Sequence, residues 1–275
     1  MADPTDAKLE QLRALLRPLG SLLVCYSGGV DSAFVLAVAA TTPGLRAVGM
    51  TAVSPSLAPL EREDATAIAA AIGADHRFVE SHEIERPGYV ANGPDRCFHC
   101  KSELYDIARA KAAEWDLAAI ANGTNCDDLG DHRPGLDAAR EAGVLSPLVA
   151  CGFTKADVRA GAQRIGLTVW DKPAAACLSS RIPYGTSVTE ERLGRIAGFE
   201  AELRAAGFRR VRVRFHEAVA RLELDSADFP RALDQRDLLV AAGKRHGFTY
   251  VTLDLAGYRM GSHNEVLDGR SLRLV

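Results

Sequence analysis

A loop rich in glycine and serine has the composition of a phosphate-binding turn. It reads YSGGVDS at residues 26–32 and lies between an apolar run and a helical pattern. Glycine allows backbone N–H groups to curl around an anion, serine hydroxyls add donors, and the following helix directs its positive end at the same point. A pair of glycines alone would indicate only a tight turn, but the whole string in this context favours a polyphosphate. The predicted contacts are Ser27, Gly28, Gly29 and Ser32.

The same loop contains an acid and lacks a lysine, and these two features indicate its nucleotide chemistry. Because the pattern GxxxxGK(S/T) is missing, an ordinary γ-phosphate transfer is disfavoured. Asp31 would repel phosphate unless a cation lay between them, so we expect it to hold Mg²⁺ against ATP. Ligands bind beyond the carboxyl ends of parallel strands, so Asp127 or Asp128, after a later strand, could reach the same ion. We assign this role to Asp128, and we expect Thr124 in the same loop to contact the nucleotide.

Cys177 is a candidate for a reactive thiol. It follows three alanines and precedes Ser179, Ser180 and Arg181. Small neighbours would leave the sulfur accessible, and the Arg181 guanidinium would favour the thiolate and could also pair with a nucleotide phosphate. An alanine-rich stretch is as typical of a buried apolar cysteine. Residue chemistry alone therefore leaves the two interpretations about even.

Cys97 and Cys100 form a CxxC pair just ahead of a helical pattern. Such a pair can be a redox couple, half of a zinc site, or two ligands of an iron–sulfur cluster. The sequence has no second CxxC, which disfavours a zinc site of four cysteines. Together with Cys177 the pair would supply three thiolates and leave one iron of a 4Fe–4S cluster open. Structural thiols, or a zinc site that includes His99, are the alternatives.

The other three cysteines receive no catalytic role. Cys25 lies in a predicted buried strand and is expected in the core, Cys126 is ambiguous, and Cys151 is expected to be structural.

Arginines alternate along a segment near residue 212 that predicts a strand. Arg210, Arg212 and Arg214 would therefore project from one face of it. A guanidinium can contact two phosphate oxygens at once, so we expect Arg212 and Arg214 to bind a substrate phosphate. Arg210 is expected to face solvent at a sheet edge. Glu223 on the next strand would either face the same cavity or pair with an arginine.

These segments together resemble a known group of enzymes. SGGVDS after a first buried strand resembles the PP-loop of the ATP pyrophosphatases, which cleave ATP between the α- and β-phosphates and attach AMP to a substrate oxygen. Within that superfamily the chain resembles the LarE family, the ATP-dependent sulfur transferases of nickel-pincer cofactor biosynthesis. The segments that carry this resemblance are DRCFHCK (95–101), CLSSRIPYG (177–185), RVRFH (212–216), and GYR followed by GS and NE (257–265). The resemblance runs from the PP-loop to the C-terminus, and CLSSRIPYG is far more specific than the loop.

The resemblance implies a reaction. A carboxylate of pyridinium-3,5-dicarboxylate mononucleotide would be adenylated by ATP, and sulfur at Cys177 would displace AMP to give a thiocarboxylate. The family is known in two forms: one sacrifices a single cysteine to dehydroalanine, and the other carries a 4Fe–4S cluster on three cysteines. Cys97, Cys100 and Cys177 match the second form, and the family also suggests a homo-oligomer. Tyr258, Arg259, Ser262, Asn264 and Glu265 match the family without an assigned role.

Apolar periodicity predicts the elements that position these groups. Repeated alternation of strand and helix patterns indicates a parallel sheet with helices on both faces. Strands are predicted at 22–26, 46–53, 76–79 and 117–121, and helices at 8–19, 33–40, 59–72, 101–115 and 154–165.

The pattern changes after about residue 185. Helices are predicted at 189–206 and 228–242, and strands at 210–215, 218–224 and 250–255. We therefore expect an α/β fold, with a PP-loop domain over 1–185 and a small α+β domain over 186–275 for substrate binding or oligomerisation.

Composition excludes several classes of protein. The 275 residues include 33 Lys and Arg against 36 Asp and Glu, and 47% are hydrophobic, which is typical of a globular chain rather than a disordered one. No apolar run reaches the roughly 20 residues that span a bilayer, and the first ten residues lack a signal-peptide pattern, so we expect a cytoplasmic protein without membrane contact.

Two rival functions are open to the same motifs. A tRNA thiolase can combine a PP-loop with three cysteines, but the acidic balance and the lack of a basic extension disfavour nucleic-acid binding. A non-catalytic nucleotide or metal-binding regulator would retain the loop without the reaction.

Overall fold

The chain forms an α/β fold with two sheets. The computed structural model describes residues 4–130, 134–173 and 176–259. Its strands are β1 (Ser21–Cys25), β2 (Arg46–Val53), β3 (Asp75–Glu80), β4 (Ala119–Ala121), β5 (Val211–His216), β6 (Val219–Leu224) and β7 (Tyr250–Leu253). Its α-helices are α1 (Pro4–Leu16), α2 (Val30–Ala40), α3 (Pro59–Ile72), α4 (Pro87–Val90), α5 (Arg96–Glu114), α6 (Pro134–Glu141), α7 (Pro147–Ala150), α8 (Lys155–Arg164), α9 (Glu190–Ala205), α10 (Phe229–Asp234) and α11 (Arg236–Arg245).

The first sheet is parallel and buried on both faces. Its strand order is β3-β2-β1-β4, and Val24 of β1 is paired with Gly49 on one side and Ala121 on the other. Successive side chains of a strand point to opposite faces. Leu22 accordingly packs in a core cluster with α1, α2, α3 and α8, whereas Leu23 packs in a second cluster with α5. This is the helix-covered parallel sheet that the alternating pattern predicts.

The second sheet is small and mixed. Its order is β5-β6-β7, with β5 and β6 antiparallel and β6 and β7 parallel. Phe199 of α9 and Phe215 of β5 both contact the ring of Phe248, and Val213 is fully buried. One face of β5 therefore packs in an apolar core, which leaves its alternate residues, the arginines, on the other face.

Two compact units divide the chain. The first comprises the described parts of residues 1–86 and 95–175, and the second those of 87–94 and 176–275. The division falls ahead of the predicted boundary at residue 185. Residues 176–185 belong with the second unit because Arg181 is paired with Glu200 and the carbonyl of Ser180 accepts a hydrogen bond from Arg214.

Among the residues that the structure describes, no helix is long and apolar enough to cross a bilayer.

Candidate functional site

The phosphate loop joins β1 to α2 and has the shape that its residues predict. Gly28 has a φ of 73°, and a Cβ at this position would lie 3.1 Å from Ala65, so glycine is required both for the turn and for the close approach of α3. Ser27 and Ser32 face each other with their hydroxyl oxygens 3.1 Å apart. The Gly29 N–H donates weakly to the Ser27 hydroxyl at 3.4 Å. The loop thus collects hydroxyl and N–H groups at the N-terminal end of an 11-residue helix.

Tyr26, which opens this loop, is held on two sides. Its hydroxyl donates to the carbonyl of Ala65 at 3.0 Å, and the Thr51 hydroxyl donates to its carbonyl at 2.7 Å. Because the Thr51 proton is used there, His76 Nε2, 2.8 Å from Thr51 Oγ1, must be the donor of that pair. Burial lowers the pKa of His76, against a smaller opposing effect of Asp75, and this favours the neutral ring. The start of the loop is therefore fixed before any ligand binds.

Asp31 lies in the first turn of α2 and is paired with a lysine that lies outside the sequence motifs. Lys155 Nζ donates to Asp31 Oδ2, and Asn125 Nδ2 donates to Asp31 Oδ1 at 3.2 Å. Lys155 is the first residue of α8, and Asn125 lies in the loop after β4. The signal in the sequence was the position of Lys155, directly after Thr154, the predicted and observed N-cap of α8.

The loop after β4 lies against the phosphate loop, and its two aspartates have internal partners. A Cβ at Gly123 would lie 2.6 Å from the Ser32 nitrogen, so the two loops touch. Asp127 Oδ2 accepts from the Lys155 N–H at 2.9 Å, and Asp128 Oδ2 accepts from the Asn125 N–H at 3.0 Å.

Thr124 stands in the same loop. Its own N–H donates to Asn122 Oδ1 at 3.0 Å, so this side of the loop is shaped by an asparagine turn. The assignments of Asp128 to Mg²⁺ and of Thr124 to the nucleotide stay predictions.

The oxygen ligands near Asp31 fit Mg²⁺. Within the described ranges no three or more His, Cys, Asp and Glu side chains gather closely enough to hold a metal by themselves. Mg²⁺ in nucleotide sites characteristically uses one or two carboxylates, phosphate oxygens and water, and so does not need such a group. The Asp31 carboxylate meets that requirement, and the Lys155 ammonium supplies positive charge at Asp31 in this structure.

Cys97 and Cys100 lie on α5, which begins five residues earlier than the predicted residue 101. Main-chain bonds from Phe98 and His99 to the carbonyl of Asp95 close its first turn, so both cysteines are helical. Residues three apart share a helix face, so the two thiols lie on the same side of α5. Cys97 is exposed and Cys100 is half-buried.

His99 and Cys100 have separate neighbours. His99 Nε2 lies 3.2 Å from Asp95 Oδ2. The Cys100 thiol donates at 3.1 Å to Oε2 of Glu83, a buried carboxylate whose other oxygen accepts from the hydroxyls of Ser54 and Ser56. Glu83 had no signal in the sequence, because its position beside Cys100 depends on tertiary packing.

The remaining cysteines of the first unit fit structural roles. Burial raises the pKa of Cys25 to about 12, with Lys101 acting in the opposite direction, and burial also raises the pKa of Cys151. Cys126 Sγ lies 4.0 Å from the carbonyl oxygen of Val149.

Cys177 is exposed at the start of a turn of 3₁₀ helix, Leu178–Arg181, in the second unit. Arg181 Nη1 donates to the carbonyls of Ala176 at 2.7 Å and Cys177 at 3.1 Å, while its Nε donates to Glu200 Oε1 at 2.8 Å. Burial acts to raise the pKa of Glu200, but the charge and hydrogen bonds of Arg181 outweigh it and hold that pKa below its usual range. These contacts assign Arg181 to the backbone that carries Cys177, and its predicted contact with the nucleotide stays a prediction.

Arg212 and Arg214 project from one face of β5, as predicted, and differ in their partners. Arg214 forms a two-pronged ion pair with Glu223 at 2.8 and 2.9 Å, and it also donates to the carbonyl of Ser180. Arg212 Nη1 lies 4.0 Å from Glu223, donates to the carbonyl of Arg259, and stacks on the ring of Tyr258 at 4.3 Å.

The electrostatic setting of Arg212 favours an anion. Burial is the largest effect and lowers the pKa of Arg212. Tyr258 opposes it, the positive charges of Arg214 and Arg181 act in the same direction as burial, and Glu223 has a smaller opposing effect. A bound phosphate would offset this charge. Arg210 instead leaves 59% of its side chain exposed, 3.7 Å from Asp225, as expected of a solvent-facing position.

A cysteine thiol is the ligand that an iron–sulfur cluster uses, and the binding of such a cluster by these cysteines stays a prediction. Cys97 and Cys177 are exposed, Cys100 is half-buried, and two of the three share one helical turn at a helix N-terminus. Ser262, Asn264 and Glu265, which match the LarE pattern, lie outside the described residues.

Comparison with known proteins supports one family. No protein-family model matches the chain. It is 46% identical over 264 residues to an uncharacterised protein of Synechocystis sp., covering 95% of this chain and 98% of that one. An uncharacterised protein of Methanocaldococcus jannaschii is 24% identical over 238 residues, 86% of this chain and 90% of its own.

A third relative has a name that states its product. The pyridinium-3,5-bisthiocarboxylic acid mononucleotide synthase of Lactiplantibacillus plantarum is 38% identical over 261 residues, which cover 94% of this chain and 95% of the synthase. Identity at this level over nearly both full lengths, in a chain that also has the phosphate loop and the Cys177 segment, shows that it is an enzyme of the LarE family.

Proposed function

We propose that this enzyme uses ATP to adenylate a carboxylate of pyridinium-3,5-dicarboxylate mononucleotide and replaces the AMP by sulfur through Cys177, forming a thiocarboxylate. The observation that carries the proposal is the exposed Cys177 on a backbone fixed by the buried Arg181–Glu200 pair, in a chain that also has a phosphate loop without a Walker lysine. The name of the Lactiplantibacillus relative, a bisthiocarboxylic acid mononucleotide synthase, supplies the substrate class.

The first unit would bind the nucleotide. The N–H groups and hydroxyls of residues 27–32 surround the phosphates, and Lys155 moves from Asp31 to a phosphate oxygen when ATP arrives. Mg²⁺, held by Asp31 and the phosphates, would neutralise charge on the departing pyrophosphate.

Adenylation by ATP makes the substrate carboxylate, which is a poor electrophile, reactive toward sulfur. One carboxylate oxygen attacks the α-phosphorus of ATP, the bond to the β-phosphate breaks, and pyrophosphate leaves. The resulting mixed anhydride has AMP as a good leaving group, so its carbonyl carbon becomes open to attack by sulfur.

The second unit would present the substrate and the sulfur. Arg212 lies 4.0 Å from Glu223, whereas Arg214 is paired with that carboxylate at 2.8 Å, so the charge of Arg212 is the less neutralised of the two. Arg212 therefore binds the substrate phosphate, and Arg214, held by Glu223, lies beside it on β5. The Cys177 thiolate attacks the acyl carbon, a C–S bond forms, and AMP leaves with the oxygen that came from the carboxylate. Cleavage of the Cys177 Cβ–S bond, with loss of the α-proton, would then release the thiocarboxylate and leave dehydroalanine.

The route through dehydroalanine is the alternative. As the main route we propose that the thiols of Cys97, Cys100 and Cys177 bind a 4Fe–4S cluster, so that Cys177 survives turnover. When bound, such a cluster would supply an extra sulfide from its fourth iron. This version rests on the three cysteines and on the family resemblance.

Metal analysis separates the two versions. Protein purified without oxygen should contain iron and sulfide and absorb visible light, and Cys97→Ala should lose that absorption. Colourless wild-type protein whose intact mass falls by roughly the mass of H₂S after one turnover would instead show the sacrificial route. The function itself is tested by substrate-dependent release of pyrophosphate together with formation of the thiocarboxylate, and protein that yields neither would contradict it.

A further inference from the structure

A short segment far from Cys177 in sequence is hydrogen-bonded to the residues that follow Cys177. Residues 87–94, which include α4, belong to the second unit, although the chain on either side of them belongs to the first. The N–H of Val188 donates to the carbonyl of Val90 at 3.0 Å, and that of Gly185 donates to the carbonyl of Asn92 at 3.0 Å. The segment therefore lines the chain just after Cys177.

Asn92 occupies a position that few residues could fill. Its φ is 55°, a left-handed conformation that asparagine tolerates better than most residues, and it is completely buried. Its side-chain amide donates to the carbonyls of Pro183 and Thr186, each at 2.8 Å, and reaches the carbonyl of Ile182 at 3.3 Å. One amide thus holds three carbonyls of a loop that has no regular structure of its own.

Tyr89 reaches closer to the sulfur. Its hydroxyl lies 2.5 Å from the hydroxyl of Ser179, 90 residues away in sequence, and the two residues are 1% and 0% exposed. Ser179 is two residues beyond Cys177, within a turn that the Ser180 N–H closes onto the Cys177 carbonyl at 3.0 Å. Movement of Ser179 would therefore move the backbone of Cys177.

We propose that Tyr89 and Asn92 are positioning residues that hold the Cys177 loop in the geometry needed for sulfur transfer. The proposal rests on the proposed role of Cys177 as the sulfur-bearing residue. An exposed thiol on an irregular loop would otherwise sample many orientations, and small misplacements of a reacting group cost large factors in rate. Buried hydrogen bonds from a separate segment restrict that motion while leaving the thiol itself accessible.

The test uses Tyr89→Phe, Ser179→Ala and the double variant. Each single change should slow thiocarboxylate formation in a single turnover by about 5-fold, the factor that corresponds to roughly one hydrogen bond. Substrate-dependent pyrophosphate release should stay at the wild-type rate, because adenylation is assigned to the phosphate loop and the β5 arginines, and both changes leave those side chains in place. The double variant should be about 5-fold slower, not 25-fold, since both changes remove the same contact. Tyr250→Phe, a change at a tyrosine that is 63% exposed, is the matched control and should behave as wild type.

A stability measurement separates positioning from folding. The double variant replaces both hydroxyls with apolar groups. It should recover part of the stability lost in the single variants, because in a single variant one buried hydroxyl loses the hydrogen bond to its partner. The sulfur-transfer rate should stay low in that double variant. Recovery of the rate together with the stability would overturn the proposal.

Asn92 is tested by two substitutions. Asn92→Gly keeps the left-handed backbone and removes the amide, whereas Asn92→Ala adds backbone strain to the same loss. Both should speed amide exchange of residues 177–186 and slow sulfur transfer, with Ala the more severe.

Amide exchange also distinguishes this proposal from the function on which it rests. Exchange of residues 177–182 that is unchanged in Tyr89→Phe would overturn the positioning role whatever the enzyme makes. Faster exchange, in an enzyme whose Cys177→Ala variant still forms the thiocarboxylate at the native rate, would overturn the proposed role of Cys177 and with it this one.

Discussion

Lys155 changes the charge at the phosphate loop, because its ammonium group is paired with the Asp31 carboxylate. Asp31 was predicted from the sequence as a metal ligand because an acid inside an anion-binding loop needs a cation. In the structure the cation beside it is the Lys155 ammonium. A lysine that neutralises Asp31 before ATP arrives would be free to bind a phosphate once Mg²⁺ takes over that carboxylate.

Substitution of Lys155 tests this exchange. Lys155→Ala should lower kcat/KM for pyrophosphate release by about 100-fold, a typical cost for removing one charged donor from a transition state. Lys155→Arg should retain part of the rate. Lys244→Ala, which removes an exposed lysine of the second unit, is the control. An unchanged kcat/KM in Lys155→Ala would confine Lys155 to holding Asp31.

The elements were predicted more fully than the contacts between them. β2 and α3 have the bounds that the apolar pattern predicts, because Pro59 begins α3 and Gly73, with a φ of 72°, ends it. The start of α5 was predicted late, and residues 228–242 contain two helices that meet at Gln235 instead of one.

Contacts at long sequence separation had no comparable signal. Lys155 and Asp31 are 124 residues apart, and Tyr89 and Ser179 are 90 apart. Periodicity reports which face of an element is apolar, but it does not report which polar side chains meet across the fold. The resemblance to a family selected Cys177 where residue chemistry alone left two interpretations.

The start of α8 provides a pH test at the scale of one element. Asp157 closes a capping box with Thr154 and is paired with Lys8 of α1 at 2.6 Å. Hydrogen bonds from Lys8 and then Thr154 lower the pKa of Asp157 from 3.8 to about 2. The folded protein therefore holds fewer protons on this group than the unfolded chain, so its stabilisation is complete above about pH 4 to 5 and is lost as the pH falls through about 2.

Asp157→Asn should remove that pH-dependent contribution. At pH 7 the free energy of unfolding should fall by about 1 kcal/mol, the usual worth of a helix cap. Between pH 4 and pH 2 the variant should lose stability less steeply than wild type. Asp137→Asn, at an aspartate that is 58% exposed, should follow the wild-type curve in urea unfolding at each pH. Parallel curves for Asp157→Asn and wild type would contradict the assignment.

At the scale of the whole molecule, we assign nucleotide binding to one unit and substrate binding with sulfur transfer to the other. The phosphate loop and its lysine lie in the first unit, and Cys177 and the β5 arginines lie in the second. Ligand that binds only the folded form stabilises it by about 2.7 kcal/mol at 100 times its Kd. We expect the protection from hydrogen exchange to be largest in the unit whose residues contact the ligand.

Hydrogen exchange with each ligand alone tests this division. Mg²⁺ and ATP should slow exchange in residues 26–32 and 122–128 and leave 211–224 unchanged. The pyridinium mononucleotide should protect 211–216. Protection of 211–216 by ATP alone, with none at 26–32, would reverse the assignment of the units.

The central claim is that ATP activates a substrate carboxylate so that sulfur at Cys177 can replace one of its oxygens. Substrate labelled with ¹⁸O in its carboxylates tests this most directly when AMP and product are weighed after a single turnover. Wild-type enzyme should give AMP with one ¹⁸O and a product with sulfur in its place, while Cys177→Ala should still release pyrophosphate without forming that product. Unlabelled AMP, or thiocarboxylate made by Cys177→Ala at the native rate, would contradict the claim.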